Sequence, residues 1–293
     1  MAILVGSDTR VMCQGLTGRA ATYHMARMTA YGTKLVAGVT PGKGGRMHLD
    51  VPVFNTVREA AVATGANASM LFVPPPTAAA AMIEAIEAEI ALIVAVTERV
   101  PVLDMVRVRQ ALNGSKTRLI GPNSQGILVP GVCQVGVMTT VNARAGGIGI
   151  VSRSASLTSE VMAQTTRAGL GQSATVGVGG DPVHGLSLKD CVALFLDDAL
   201  TTGIVVIGEI GGTAEEEVAA FIAATKPAKP VVALIAGRHA PLERRMGHAG
   251  AFTTAGSGAA GPKIAALAAA GIHIAANAAV VGQTMANALE RLR

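Results

Sequence analysis

The sequence predicts an α/β protein built from two consecutive units of parallel sheet and crossover helices. Short apolar runs rich in valine, isoleucine and leucine alternate along the chain with longer helix-like segments. Half of the 293 residues are hydrophobic but only 2% are aromatic, so aliphatic side chains must form most of the core. The 35 glycines suit tight turns and close packing of helices on a sheet.

The first predicted unit covers residues 1–122, and its last strand comes just before Gly121-Pro122. A buried strand at 11–14 leads through a glycine-rich turn into a helix over 19–30. The other predicted elements are strands at 34–39, 68–73, 90–96 and 118–120 and helices at 56–64, 77–89 and 101–112. Strands that alternate with helices in this way form a parallel sheet with crossover connections.

The glycine-rich turn at residues 15–18 joins the first strand to the first helix, which is a suitable place for a phosphate group. The dinucleotide-binding pattern has a glycine where Cys13 stands, so this turn can equally be an ordinary tight connection. Lys43 lies in a second glycine-rich turn, whose spacing differs from that of an NTPase phosphate loop. Lys43 can bind a phosphate as a point charge or be a solvated lysine.

In parallel sheets of this kind, ligands bind beyond the carboxyl ends of the strands. The segments predicted at those ends are 15–18, 40–45, 74–76, 97–98 and 121–123. We therefore expect these segments to border one crevice.

The second predicted unit covers residues 123–293 and repeats the alternation, which predicts a second doubly wound sheet. Its strands are predicted at 148–151, 173–178, 204–207, 231–235 and 273–275, and its helices at 157–167, 188–196, 214–224, 264–270 and 280–292.

One segment and one residue of this second unit are candidates for a functional site. Residues 152–156 place serines and small residues before a helix, where unpaired backbone N–H groups can bind an anion or where the serines are ordinary caps. Glu209 follows a buried strand between glycines, where it can orient an imidazole or be a solvated loop carboxylate.

His248 lies in the longest stretch without helix or strand periodicity, residues 237–263. A loop of that length in a compact domain is usually functional or disordered. Small residues flank His248, and Arg238, Arg244 and Arg245 lie upstream, where they can attract anions. We interpret His248 as a candidate nucleophile for a phosphoryl group.

The other five histidines are His24, His48, His184, His239 and His273, and their spacing fits no zinc site. His24 and His273 are interpreted as structural, whereas His48 and His184 lie in glycine-rich turns that can border a ligand.

Composition argues against several classes of protein. The net charge of +5 is modest and the basic residues are dispersed, which does not favour nucleic-acid binding. No segment resembles a signal peptide or a membrane span. Three widely spaced cysteines form no disulfide framework, so a cytoplasmic location is expected.

Several motifs together resemble the succinyl-CoA synthetase (succinate–CoA ligase, NDP-forming) α-subunit family over essentially the whole chain. They lie, in this order, at residues 14–18, 38–45, 51–57, 121–123, 152–154, 177–182, 208–212 and 245–251.

This resemblance implies a Rossmann-like CoA-binding domain at 1–122 and a flavodoxin-like domain at 123–293. It further implies that His248 is phosphorylated and that Glu209 hydrogen-bonds to it. The implied phosphate and substrate residues are Ser154, Ala155, Ser156, Ser159 and Asn123. The implied coenzyme A contacts are Thr17, Gly18, Arg19, Ala20, Lys43, Val96, Thr97 and Glu98. An ATP-grasp β subunit, in an αβ or α2β2 assembly, is implied to bind ATP or GTP and Mg, while no metal is expected on this chain.

The sequence departs from this family near the expected acid site. The family usually has Gly-Thr where Ala155-Ser156 stand and Tyr where Ser159 stands. It also has Cys-Pro at 124–125 and a Pro-Gly-His stretch near 138–141. These changes leave open a paralogue that uses malate or another dicarboxylate. A non-catalytic CoA-binding regulatory subunit is the alternative from a different class.

Overall fold

The computed structural model describes residues 3–241, 243–254 and 257–292. The chain forms two compact units. The first unit comprises Leu4–Met138 and Val183–Leu186, and the second comprises Thr139–Pro182 and the chain from Ser187 onward. The predicted domain division after residue 122 follows the end of the first sheet, sixteen residues before the compact units separate. As a domain assignment it stays a prediction.

The first unit is a twisted sheet with helices between its strands, and its elements are numbered in chain order. Its strands are β1 (Arg10–Gln14), β2 (Lys34–Val39), β3 (Met47–His48), β4 (Val51–Phe54), β5 (Ala68–Leu71), β6 (Leu92–Ala95) and β7 (Arg118–Ile120). Its helices are α1 (Arg19–Tyr31), α2 (Val57–Thr64), α3 (Pro75–Glu87) and α4 (Val102–Leu112). The strand order is β3-β4-β2-β1-β5-β6-β7, parallel except for the β3–β4 pair.

Local sequence explains where these helices begin and end. Thr56 accepts a hydrogen bond from the backbone of Glu59, whose carboxylate in turn accepts from the Thr56 backbone, a capping box that starts α2. Gly32 ends α1 in the left-handed conformation. The core between helices and sheet is aliphatic, with Met12 and Met82 among its fully buried residues. An antiparallel hairpin of β8 (Gly126–Val129) and β9 (Cys133–Gly136) follows β7 along the chain and is not part of the first sheet.

The second unit has the same parallel βα organisation. Its strands are β10 (Ala145–Ser152), β11 (Gln172–Gly177), β12 (Gly203–Glu209), β13 (Val231–Ala236) and β14 (His273–Ile274). Its helices are α5 (Ala155–Arg167), α6 (Leu188–Asp197), α7 (Ala214–Thr225), α8 (Ala260–Ala269) and α9 (Val281–Glu290), the last preceded by a short 3-10 turn at Ala278–Val280. The strands lie in the order β14-β13-β12-β10-β11 and are all parallel. The strand ends of β11, β10 and β12 are therefore neighbours at one edge.

The α/β fold class is confirmed, and the predicted elements are present with boundary shifts of no more than four residues. The largest shift is at α8, which begins at Ala260 rather than at residue 264. The unpatterned segment therefore ends at residue 259, and Lys263 lies inside a helix. Strands β3, β4, β8 and β9 were not predicted, because each is only two to four residues long, and the pairs β3–β4 and β8–β9 are antiparallel rather than joined by a crossover helix. Among the described residues, no helix is long and apolar enough to span a membrane.

Candidate active site

His248 contacts Glu209 at the carboxyl end of the second sheet. Its Nδ1 atom lies 2.8 and 2.9 Å from the two carboxylate oxygens of Glu209. Glu209 is the last residue of β12 and is 7% exposed, so it is not the solvated loop carboxylate of the alternative interpretation. The structure thus brings together the two residues that the sequence singled out 39 positions apart.

Glycine residues allow the chain to pack closely around this histidine. A Cβ atom on Gly180, which follows β11, would lie 2.3–2.6 Å from the imidazole ring of His248. A Cβ on Gly211 would lie 1.9 Å from the carbonyl oxygen of Gly250. The segment itself turns tightly, since the Met246 N–H donates to the Ala251 carbonyl at 2.9 Å. Residues larger than glycine at 180 and 211 would therefore displace the histidine loop.

A buried cluster of alternating charges lies behind Glu209. Arg153 Nη2 is 3.2 Å from Glu209 Oε1, and Arg153 Nη1 is 3.4 Å from Glu215 Oε1. Lys263 forms ion pairs with Glu215 and, at 2.9 Å, with Glu216. Lys263 and Glu215 are completely buried. Buried charges are retained in proteins when they are paired and hydrogen-bonded in this way.

This charge cluster was not predicted from the sequence. Glu215 lies in the first turn of α7, where the helix dipole is a sufficient explanation for an acidic residue, and Lys263 falls at the end of the unpatterned stretch 237–263. Arg153 appeared only as part of a motif. The available signal was a lysine inside an otherwise alanine-rich helix, which is unusual for a position that faces a core.

Glu209 determines the chemical state of the imidazole. A carboxylate can only accept hydrogen bonds, so neutral His248 donates its Nδ1–H to Glu209 and keeps the lone pair on Nε2. The hydrogen bond to Glu209 raises the pKa of His248, against the opposing effects of burial and the Arg153 charge. The Nε2 atom is thus the nucleophilic atom of this histidine whenever the ring is neutral.

Helix α5 begins at Ala155, two residues after Arg153, and only Arg153 and Ser154 separate it from the end of strand β10. The Ser154 hydroxyl caps it by accepting from the Leu157 N–H at 3.4 Å. Ala155, Ser156 and Ser159 lie in its first turns, where Ser159 Oγ donates to the Ala155 carbonyl at 3.4 Å. Ordinary serine capping is therefore present, and the N–H groups of the first turn add a positive dipole end at the same sheet edge.

The candidate coenzyme A residues lie in the first unit, after strands of one parallel sheet. Lys43 Nζ donates to Thr17 Oγ1 at 3.0 Å, which joins the two glycine-rich turns. Asn55 Oδ1 accepts from the N–H groups of Gly42 and Gly44 at 2.9 and 3.0 Å, and this fixes the turn around Lys43. Gly18 precedes α1, and Arg19 and Ala20 are its exposed first residues.

Residues 96–98 follow β6 in the same sheet. Thr97 Oγ1 donates to the Val73 carbonyl at 2.9 Å, and Val96 and Thr97 are partly buried whereas Glu98 is exposed. The backbone N–H of Asn123, a predicted substrate residue, donates to the Thr97 carbonyl at 2.9 Å, so Asn123 lies in the first unit.

Two other histidines, His24 and His48, have contacts within the first unit. His24 stacks on Phe72 with ring centroids 5.6 Å apart, and His48 Nε2 lies 2.8 Å from Thr22 Oγ1. His273 is in β14, as the structural interpretation expected, and His239 is exposed in the loop after β13.

Comparison with known proteins agrees with this arrangement. Residues 6–99 match the CoA binding domain family and residues 151–273 match the CoA-ligase family. The succinate–CoA ligase [ADP-forming] α subunit of Aquifex aeolicus is 50% identical over 292 residues, which cover 99% of this chain and 95% of that protein. The subunit of the same name from Staphylococcus aureus is 47% identical over 288 residues, or 98% of this chain and 95% of its own length. The chain belongs to the succinate–CoA ligase α-subunit family.

Family membership confirms the resemblance and makes the chain part of an acyl-CoA-forming ligase. Nothing in the comparisons favours a malate-specific paralogue or a non-catalytic regulatory subunit.

Solved structures show the same fold. An ATP citrate lyase from Methanosaeta concilii, solved with (3S)-citryl-CoA, superimposes with a TM-score of 0.89 at 23% identity, over 99% of this chain and 51% of that one. A dinucleotide-forming acetyl-coenzyme A synthetase from Ca. Korarchaeum cryptofilum gives a TM-score of 0.72 at 16% identity, over 98% and 60%. The chain thus spans about half the length of the citrate lyase chain.

Proposed function

We propose that this chain is the α subunit of an enzyme that forms succinyl-CoA from succinate, coenzyme A and a nucleoside triphosphate through a phosphohistidine at His248. The observation that carries the proposal is the contact between His248 Nδ1 and the buried carboxylate of Glu209. The names of the relatives, which are ADP-forming succinate–CoA ligases, support succinate as the acid and ATP as the triphosphate.

The contact between His248 and Glu209 supports the phosphoryl-transfer steps of the proposed chemistry. The Nε2 lone pair of His248 attacks the terminal phosphoryl group, and the nucleoside diphosphate leaves. The phosphoimidazole is cationic, and the Glu209 carboxylate at Nδ1 stabilises that charge. A succinate oxygen then takes the phosphoryl group, which regenerates the imidazole and forms an acyl phosphate. The coenzyme A thiolate attacks the acyl carbon and releases inorganic phosphate, so three easier transfers replace one difficult step.

The start of α5 is proposed to bind the phosphoryl group and the acid. Its residues Ser154, Ala155, Ser156 and Ser159 offer hydroxyl and backbone N–H groups at a positive helix end. Asn123 is proposed as a further polar contact of the acid or phosphate.

Coenzyme A is proposed to bind at Thr17, Gly18, Arg19, Ala20, Lys43, Val96, Thr97 and Glu98. The Lys43 ammonium group, held by Thr17, would neutralise a phosphate of the coenzyme. We expect Lys43→Met to weaken coenzyme A binding about tenfold, the effect of losing one charge-assisted hydrogen bond. Titration calorimetry measures this, with the exposed Lys116→Met as the matched control. Equal affinities of the two variants for coenzyme A would show that Lys43 does not contribute to coenzyme A binding.

The partner is proposed to be an ATP-grasp β subunit that binds the nucleotide and Mg, in an αβ or α2β2 assembly. A reducing cytoplasm is the proposed location, which agrees with Cys13, Cys133 and Cys191 being free and buried. Size measurement of the co-purified subunits distinguishes the two assemblies.

Turnover of the co-expressed subunits with a panel of acids tests the proposed substrate. We expect the highest kcat/KM with succinate and ATP. The replacement of an expected tyrosine by Ser159 makes malate and itaconate the most informative competitors. A clear preference for one of them would contradict succinate as the substrate, and no turnover with any acid would contradict the ligase assignment.

A further inference from the structure

Arg153 is the residue that links the histidine site to the buried charge cluster. It is 7% exposed, and its two terminal nitrogens contact different carboxylates, Glu209 at 3.2 Å and Glu215 at 3.4 Å. Its Nη1 also donates to the Gly211 carbonyl at 3.3 Å. Contacts on both sides fix the position of the guanidinium. Its positive charge therefore lies beside one carboxylate oxygen of Glu209, Oε1.

The other members of the cluster fix the positions of Arg153 and Glu209. Glu215 Oε1 accepts from the Glu209 backbone N–H at 3.1 Å as well as from Arg153, while Lys263 pairs with its other oxygen. The Lys263 ammonium also donates to the Gly212 carbonyl at 2.9 Å. Close packing tightens this arrangement, because a Cβ on Gly208 would lie 2.5 Å from the Glu215 side chain. Glu215, which is itself paired with Lys263, therefore holds the Arg153 guanidinium in place.

We propose that Arg153 is a positioning residue that orients Glu209 toward His248 and limits protonation of the imidazole, so that Nε2 stays nucleophilic. A buried carboxylate beside the ring favours the imidazolium, which has no lone pair with which to attack. The Arg153 guanidinium contacts the same Glu209 carboxylate as His248. Its positive charge also disfavours the addition of a proton to Nε2 of the ring. This inference rests on the proposed function, in which the neutral ring is the phosphoryl acceptor.

The electrostatic environment agrees with this role. The groups that act on His248 come from three neighbouring strand ends: Glu209 is the last residue of β12, Asp181 lies in the segment after β11, and Arg153 directly follows β10. Glu209 and Asp181 raise the pKa of His248, whereas Arg153 lowers it. Glu215 on α7 and Lys263 on α8 lie behind Arg153 and compensate each other. Arg153 is thus the cation that opposes two acidic groups at the ring.

The pH dependence of His248 carbethoxylation tests the inference without a partner subunit. Diethyl pyrocarbonate modifies neutral imidazole, and mass spectrometry of the peptide that contains His248 separates it from the other histidines. We expect the reactivity midpoint to move to higher pH in Arg153→Met and to stay near the wild-type value in Arg153→Lys, which keeps the charge. Each unit of upward shift lowers the neutral fraction about tenfold below the midpoint.

Two further variants make the outcome decisive. Arg153→Gln removes the charge but keeps hydrogen-bond donors, so it replaces Arg153→Met if that variant does not fold. The exposed Arg167→Met is the matched control and should titrate like the wild type. A midpoint that is unchanged or lower in the neutral variants, or equally shifted in Arg153→Lys, would overturn the inference.

Phosphorylation of the co-expressed complex provides the second readout. The rate for Arg153→Met should fall several-fold, with the largest loss at acidic pH. If the wild type is never phosphorylated, the proposed function fails, while the carbethoxylation result still decides whether Arg153 controls protonation of His248.

Discussion

Replacement of Lys263 by methionine should destabilise the second unit strongly, because it removes one partner of a completely buried ion pair. Lys263 contacts Glu215, Glu216 and the Gly212 carbonyl, and both Lys263 and Glu215 have no exposed surface. Methionine has a similar length, so the change removes charge and hydrogen bonds without opening a large cavity. The effect therefore measures the electrostatic contribution of this lysine.

The size of the effect follows from what Glu215 retains. Breaking a buried pair costs about 3–5 kcal/mol when one charge is left uncompensated. Glu215 still contacts Arg153 and the Glu209 N–H, so the cost should lie near the lower end. A loss of about 3 kcal/mol corresponds to a decrease of roughly 6–12 °C in the unfolding temperature of a unit of this size.

Differential scanning calorimetry of the full chain measures this shift. The exposed Lys189→Met is the matched control and should change stability by less than about 0.5 kcal/mol. In the double variant Lys263→Met/Glu215→Gln, the loss should be smaller than the sum of the two single losses, since the carboxylate no longer lacks a counter-charge. Equal shifts for Lys263→Met and Lys189→Met, or additive losses in the double variant, would refute the reasoning.

Two further predictions concern the histidine itself. Gly180→Ala places a methyl group within 2.3–2.6 Å of the His248 ring and should slow phosphorylation roughly tenfold to a hundredfold, whereas Gly261→Ala, whose Cβ meets nothing within 4 Å, should not. Equal phosphorylation rates for the two variants would contradict the packing. Because the pKa of His248 is raised in the folded chain, the pair with Glu209 stabilises the fold below the ordinary histidine pKa and loses that effect as pH rises through the raised value. Denaturant unfolding should therefore show a wild-type advantage over Glu209→Gln that is largest near about pH 6 and shrinks toward alkaline pH, and a growing advantage would contradict it.

The sequence predicted those parts of the fold that depend on local periodicity. Strands such as β12 are buried apolar runs bounded by glycines, so their position and the residues at their carboxyl ends can be read directly from the sequence. Glu209 was a candidate for the same reason, as it ends one of those runs. The identity of its partner followed only from the resemblance to a family, because nothing local relates residues 209 and 248.

The buried charge cluster could not be predicted from local pattern. Lys263 and Glu215 are 48 residues apart, and each has an ordinary local explanation on its own helix. Only the packing of α8 against α7 shows that the two side chains share one buried site. The hairpin of β8 and β9 was missed for a related reason, since its strands lie outside the βα repeat.

The central claim is that His248 carries the phosphoryl group, and transfer of label from ATP tests it most directly. The chain, co-expressed with its β subunit, is incubated with ATP labelled at the terminal phosphate and then assayed for acid-labile, alkali-stable label. We expect label on the wild type and on His239→Asn, whose exposed histidine lies in the same loop, and none on His248→Asn. Label that survives in His248→Asn, or a wild-type enzyme that turns over without ever being labelled, would contradict the account.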